Sequence, residues 1–282
     1  MKDPYVYEGT NVLKNKLDIK DEATLEKAES DFVGLAANKL RHSDFVIENI
    51  QDGLKIHKIL FSNLYDWAGL SRTIDIFKGE SLLGGRSIDY VYASYIDKAL
   101  NDLNKEFQEV DWDVLDSKEK IEKICYFVTE FWHIHPFREG NTRTSAMLLY
   151  FLIKKANLHV NIDFLSKNGK YFRNALALNS LYSNSKPEYI LGIVTDSVTL
   201  KNISSKKYET IEGFEINKYS YSNHTIEKIK TIEKPSIGIN RSFWLKFMYR
   251  IINRVNFYGW TMYRIANTKT SNQKRILIPF LF

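Results

Sequence analysis

This sequence predicts a mainly α-helical domain that carries one small β-hairpin and is followed by a C-terminal extension. Three observations predict it. Apolar residues recur at helical spacing through residues 20–60, 90–107 and 116–152. Polar–apolar alternation beside clustered glycines is confined to one stretch, residues 66–90. Helical periodicity and charge balance both change near residue 200, which places the domain at 1–200 and a basic extension or small satellite domain at 201–282.

In chain order, Leu25, Ala28, Phe32, Leu35 and Ala36 mark a first core-facing helix, and Leu54, Ile56, Ile59 and Leu60 a second. Thr73, Ile74, Asp75 and Ile76 alternate polar and apolar, and Gly79, Gly84 and Gly85 supply turns, so a hairpin is expected there. Helical spacing returns from Tyr90 to Phe107. Asp116 and Glu119 stand at capping-box spacing before Ile121, Ile124, Cys125, Val128, Phe131 and Trp132, which fall on one stripe of a buried helix. Pro136 disfavours α geometry at His135 and so ends that helix. A further helix starts near Asn141 or Thr142, either of which can cap it, and buries Met147, Leu148, Phe151 and Leu152.

With 44% hydrophobic and 26% charged residues in 282, the chain can bury a sizeable core, and general disorder is excluded. The one cysteine, Cys125, excludes a disulfide scaffold and makes a reducing compartment, the cytoplasm, the default. The N-terminus lacks the apolar run of a signal peptide, and no window reaches the length of a membrane span. The net charge of +6 divides unevenly: residues 201–282 hold 15 Lys plus Arg against 5 Glu, and residues 1–200 hold 25 basic against 29 acidic residues. The basicity belongs to the extension, so a slightly acidic body argues against nucleic acid as the general partner. The aromatic and basic segment from Arg241 reads as an amphipathic element packed on the main domain in preference to a membrane or nucleic-acid contact.

Chemistry concentrates in the loop His135, Pro136, Phe137, Arg138, Glu139, Gly140, Asn141, Thr142, Arg143. Gly140 and Asn141 at a helix start leave backbone N–H groups pointing outward, where the helix dipole favours an anion. Arg143 in the first turn sits against that dipole, a placement that an anion would offset. Glu139 beside a polyphosphate site is a hard oxygen ligand suited to Mg²⁺. His135 titrates near neutrality and suits proton removal from a hydroxyl. Together they suggest phosphoryl or nucleotidyl transfer. His133, His135 and Glu139 are competent zinc ligand types, but the HExxH spacing is missing.

At these residues the chain resembles a known family. HPFREGNTR, residues 135–143, is similar to the Fic (Fido) signature, HPFx[DE]GN followed by a variable position and Arg. YDWAG at Tyr65–Gly69 with Arg72, and YVYEGTNVLKNKL from Tyr5, also resemble Fic domains of bacterial effectors, so the likeness covers about residues 5–200. The resemblance implies a helical fold with a hairpin flap and transfer of AMP from ATP to a hydroxyl side chain of a target protein bearing Ser, Thr or Tyr. It implies His135 as base, Glu139 on Mg²⁺, and Gly140, Asn141, Thr142 and Arg143 around the phosphates. It further implies Phe77 and Lys78 on the flap beside the target, and Tyr171 and Asn174 near adenine, with delivery as an effector an option. Thr142 and Ala146 depart from the family's usual Gly and second Arg, which leaves open a different nucleotide donor, a kinase-like phosphotransfer, or a non-catalytic nucleotide-binding module. No segment fits the family's inhibitory [ST]xxxE[GN] pattern: Ser205–Glu209, Glu212–Gly213 and Glu48–Asn49 each miss a position.

Overall fold

Eight helices build the described part of the chain: α1 (Glu22–Arg41), α2 (Asp52–Phe61), α3 (Ile96–Gln108), α4 (Ser117–Ile134), α5 (Asn141–Lys155), α6 (Ile162–Lys167), α7 (Gly169–Asn179) and α8 (Pro187–Thr199). The computed structural model describes residues 3–83, 85, 87–181 and 185–199. The expected extension or satellite domain at 201–282, its aromatic and basic end, and the segments around Glu209 and Glu212 lie outside the described residues.

Helices α4 and α5 pack together at the centre, and α2, α3, α7 and α8 pack around them. α4 forms where its sequence predicts. The Asp116 carboxylate accepts the Glu119 N–H at 2.8 Å, the Glu119 carboxylate accepts the Asp116 N–H at 3.0 Å, and the predicted apolar stripe is buried. Phe107, Phe127, Phe131, Trp132, Phe137 and Phe151 lie at or below 2% exposure and make the core aromatic. Gly53 lets α2 close on α4, because a Cβ at that position would run into the Phe131 ring. Among the described residues no helix is long and apolar enough to cross a membrane.

Four local expectations change. The hairpin reduces to one antiparallel bridge, Gly79 with Ser87, around a 3-10 turn at Ser81–Leu83. Gly85 has the left-handed φ of 85° that a turn glycine supplies, while Gly84 lies outside the described residues. The segment after Tyr90 first runs extended and through a 3-10 turn at Ala93–Tyr95, so α3 begins at Ile96. On α1 the buried face is Leu25, Glu29, Val33 and Leu40, with Leu35 64% exposed. Ile59 of α2 is likewise exposed. The apolar count alone misassigned the α1 face because a glutamate occupies its buried stripe. Finally, α5 is capped by Gly140 at φ 84°, not by Asn141 or Thr142, whose side chains are committed elsewhere.

Candidate active site

The loop between α4 and α5 is shaped by how α4 stops. His135 takes a left-handed conformation, φ 51°, and its N–H still closes on Phe131 and Trp132 carbonyls, while Pro136 prevents a further turn. A non-glycine residue held there stores strain, of the kind that functional sites retain when their surroundings enforce it. The enforcing group is Arg72, buried at 2% exposure. Its Nε donates to the His135 carbonyl at 2.8 Å, and its backbone N–H to the Pro136 carbonyl at 2.7 Å. The same guanidinium donates to Ile74 at 2.7 Å and to Val91, carbonyls on the two stems of the flap, and so ties flap and loop into one unit.

His135 is itself buried, with its ring beside Tyr90 at 3.9 Å between centroids. Nδ1 lies 3.1 Å from the Trp132 carbonyl, which can only accept, so the hydrogen of the neutral ring sits on Nδ1. Nε2 then carries a free lone pair and has no hydrogen-bond partner among the described residues. Burial, and next the Lys78 cation, hold the imidazole pKa well below its ordinary value, which keeps this nitrogen in its base form.

Beyond His135 the loop is braced from inside. Asn141 spans it, accepting the Phe137 N–H at 3.0 Å and donating to the Phe137 carbonyl at 2.8 Å. A Cβ at Gly140 would enter the Phe61 ring, so the backbone there passes as close to the core as glycine permits. The Thr142 hydroxyl accepts the Trp132 indole N–H at 3.0 Å, which turns this side chain toward α4. Among the described residues nothing accepts from the backbone N–H groups of Asn141, Thr142 and Arg143, the first three of α5.

Charges surround this end of α5. Glu139 pairs with Lys78 at 2.7 Å, accepts the Gly140 N–H at 2.9 Å, and lies 3.8 Å from Arg143. Burial pushes its carboxyl up, but Lys78, Gly140 and Arg143 outweigh that and hold its pKa at about 2. Arg143 pairs at 2.8 Å with Glu29 of α1 and lies over the Phe61 ring. Burial raises the Glu29 carboxyl above its usual range, and Arg143 pulls it back. The placement of Arg143 against the helix dipole is therefore offset by a protein carboxylate.

Two cavities meet this loop. One, of about 1120 Å³, runs between α1 and α5 and is lined by Glu29, Arg138, Glu139, Thr142, Arg143 and Ala146 among others. Ala146 thus puts a methyl group in the cavity wall. The other, of about 740 Å³, follows the flap along Thr73–Lys78 to Arg138 and Asp3. Phe77 stands 83% exposed at that edge. The structure therefore brings His135, Glu139–Arg143, Lys78 and Phe77 to one end of the α4–α5 pair. It does not bring Tyr171 and Asn174 to the larger cavity, whose α7 lining is Gly169 and Phe172. The Tyr171 ring packs instead toward Tyr189 of α8, and α7 meets the flap through Arg173 and Glu80 at 2.9 Å. His133, offered as a zinc ligand type, directs Nε2 to the Asp89 carbonyl at 2.9 Å. Sequence reasoning missed Glu29 and the buried His57. Only a glutamate interrupting the apolar stripe of α1 could have flagged the first.

Comparison with known proteins places this arrangement. A family profile described as Fic/DOC family matches residues 48–153. A probable protein adenylyltransferase of Sinorhizobium fredii, y4lH, is 32% identical over 164 residues, spanning 57% of this chain and 80% of that protein. The protein adenylyltransferase VbhT of Bartonella schoenbuchensis is 30% identical over 239 residues, which is 84% of this chain but 46% of VbhT, so the chain spans about half the length of that relative. Among solved structures, BepC of Bartonella tribocorum with bound AMPPNP superposes with a TM-score of 0.58 at 27% identity, covering 68% of this chain and 95% of that one. The same helical fold recurs in the effector BepA, TM-score 0.60 at 21% identity, covering 79% of this chain and 76% of that one. With its signature loop built as described and a relative matched over most of its length, the chain belongs to the Fic/DOC family.

Proposed function

We propose that this chain is a protein adenylyltransferase, transferring AMP from ATP to a Ser, Thr or Tyr hydroxyl of a target protein. The observation that carries this reading is a single loop that ends α4 with an unpartnered His135 Nε2 and opens α5 with three unengaged N–H groups. His135 takes the proton from the target hydroxyl, whose oxygen forms a bond to the α phosphorus of ATP as the bond to pyrophosphate breaks. Asn141, Thr142 and Arg143 present backbone donors to the phosphate oxygens, and the Arg143 guanidinium supplies a cation beside them. Phe77 and Lys78 line the edge along which the target segment lies. For adenine the resemblance gives Tyr171 and Asn174 of α7, neither of which lines the larger cavity. Glu139 fits Mg²⁺, because one carboxylate held ionised beside a phosphate cradle matches how that ion is bound in such sites. When bound, the ion neutralises phosphate charge. Relatives named protein adenylyltransferases and a relative seen with AMPPNP support the reading. A cytoplasmic location fits it, with delivery as an effector supported by the description of BepC as a VirB-translocated effector.

Incubation with ATP labelled at the α or the γ phosphate and with candidate targets tests this. The expected outcome is α label on a target, reduced about 10² to 10⁴-fold by His135→Ala. Equal labelling by the variant would remove His135 from the mechanism, and binding of Mg-ATP without transfer would make the chain a nucleotide-binding module. Ala146, which puts a methyl group in the cavity wall where the family pattern has its second Arg, favours one second reading, a phosphotransferase with different donor orientation. Transfer of the γ label alone would establish it.

A further inference from the structure

His57 lies on α2, outside every motif of the loop, and is fully buried. Its ring is stacked between Phe137 of the loop, 3.7 Å between centroids and 13° between planes, and Phe61, 4.5 Å and 23°. Both ring nitrogens are engaged. The Gly69 N–H donates to Nδ1 at 2.8 Å, and Nε2 lies 3.1 Å from the Glu139 carbonyl. A backbone N–H can bond only a lone pair, so Nδ1 carries no hydrogen and the neutral ring must carry it on Nε2, where it is donated to Glu139. Gly69 has a left-handed φ of 82° and sits against the Lys58 Cβ, leaving no room for a side chain. The turn at Tyr65–Gly69 thereby fixes a tautomer, and the tautomer fixes a carbonyl in the loop.

We propose that His57 is a positioning residue for the phosphate-binding loop, holding the Glu139–Gly140 peptide plane through its Nε2 hydrogen and so aiming the Glu139 carboxylate and the first N–H groups of α5. That plane carries the Gly140 N–H, which donates to the carboxylate of Glu139 itself, so one hydrogen bond from His57 orients both the acidic group and the turn into the helix. The inference rests on the reading of this loop as a nucleotide cradle, and the experiment separates the two.

Two variants divide the ring's functions while losing its stacking alike. His57→Gln carries an amide donor to the position of Nε2, and His57→Asn reaches only the position of Nδ1, accepting from Gly69 and leaving the Glu139 carbonyl unpaired. In the full chain without nucleotide, hydrogen exchange at Gly140 and Thr144, whose N–H groups are bonded to the Glu139 carboxylate and to the Gly140 carbonyl, should rise about 10-fold in His57→Asn and stay within about 3-fold in His57→Gln, with α3 unchanged in both. Mg-ATP affinity should fall about 10- to 100-fold in His57→Asn and little in His57→Gln, the range for lost supporting contacts at such sites. Identical behaviour of the two variants, or exchange rising equally through α3, would overturn the proposal. Should neither variant fold, long-range ¹H–¹⁵N correlation on the wild-type imidazole decides: hydrogen on Nε2 is expected, and hydrogen on Nδ1 overturns it. If the exchange pattern holds and the wild type binds no ATP, the nucleotide reading falls and the positioning role stands.

Discussion

His135 shows how one residue is prepared by its neighbours for a role its own chemistry only permits. The Trp132 carbonyl selects the tautomer, Pro136 and Arg72 hold the backbone in a left-handed turn, and burial with Lys78 depresses the pKa. A depressed imidazole pKa means the proton is already lost below the ordinary value of 6.5, so the base form persists as pH falls through that point. The acid limb of kcat/KM is therefore expected below pH 6.5, and Lys78→Met, which removes a cation facing the ring, should move it upward. A pH–rate profile checks both, and a limb at or above 6.5 in the wild type would contradict the assignment. Gly140 belongs to the same scale. Alanine there would adopt φ 84° at a cost of about 1 to 2 kcal/mol and would press its Cβ into Phe61. Denaturant unfolding of Gly140→Ala should show a loss of at least that size, with weakened Mg-ATP binding. Wild-type values for both would mean that the loop tolerates a different path.

Among elements, α2 packs on α5 and sets His57 and Phe61 against the loop, while α4 delivers His135 to it. Gly53 of α2 faces the Phe131 ring of α4. By propensity alone Gly53→Ala would stabilise α2 by about 1 kcal/mol, but overpacking a filled core costs about 1 to 3 kcal/mol, and the new methyl would meet the rigid Phe131 ring. The clash wins. Gly53→Ala is expected to lower the midpoint of thermal unfolding, and a raised midpoint would show that the helices can separate freely. The flap is a different kind of element, since a single bridge cannot set its register. Its position comes from charged side chains: buried Arg72 across the stems, buried Glu80 to Arg173 of α7, and Lys78 to Glu139. Short alternation in the sequence signalled a ladder, but the stretch makes its long-range bonds through these charged groups.

Across the whole molecule, the one cysteine reports on packing. Cys125 lies in the core of α4, its Sγ within 3.8 Å of the Ile190 carbonyl of α8, and burial pushes the thiol pKa up. A thiol that is both inaccessible and protonated is inert. Native protein should resist a thiol reagent for hours and react fully in denaturant. Rapid labelling under native conditions would show that α8 opens from α4. Charge is also divided at this scale. Residues 1–200, at a net −4, nonetheless gather Lys78, Arg138 and Arg143 around one loop, so positive charge is concentrated locally there.

The sequence by itself determined the features whose causes are contiguous. HPFREGNTR carries its own helix stop, turn glycine and helix start, the capping box of α4 needs residues three apart, and the apolar stripes of α4 and α5 need only helical spacing. Tertiary structure alone decided the pairings between distant residues. Glu29 reaches Arg143 across 114 positions and His57 reaches Glu139 across 82, and neither partner resembles a site residue in its own neighbourhood. Glu29 looks like a solvated helix charge, and His57 like one more polar residue between Ile56 and Ile59. Periodicity reports which face of a helix is apolar. What a buried glutamate or histidine on that face will meet depends on which helix packs there.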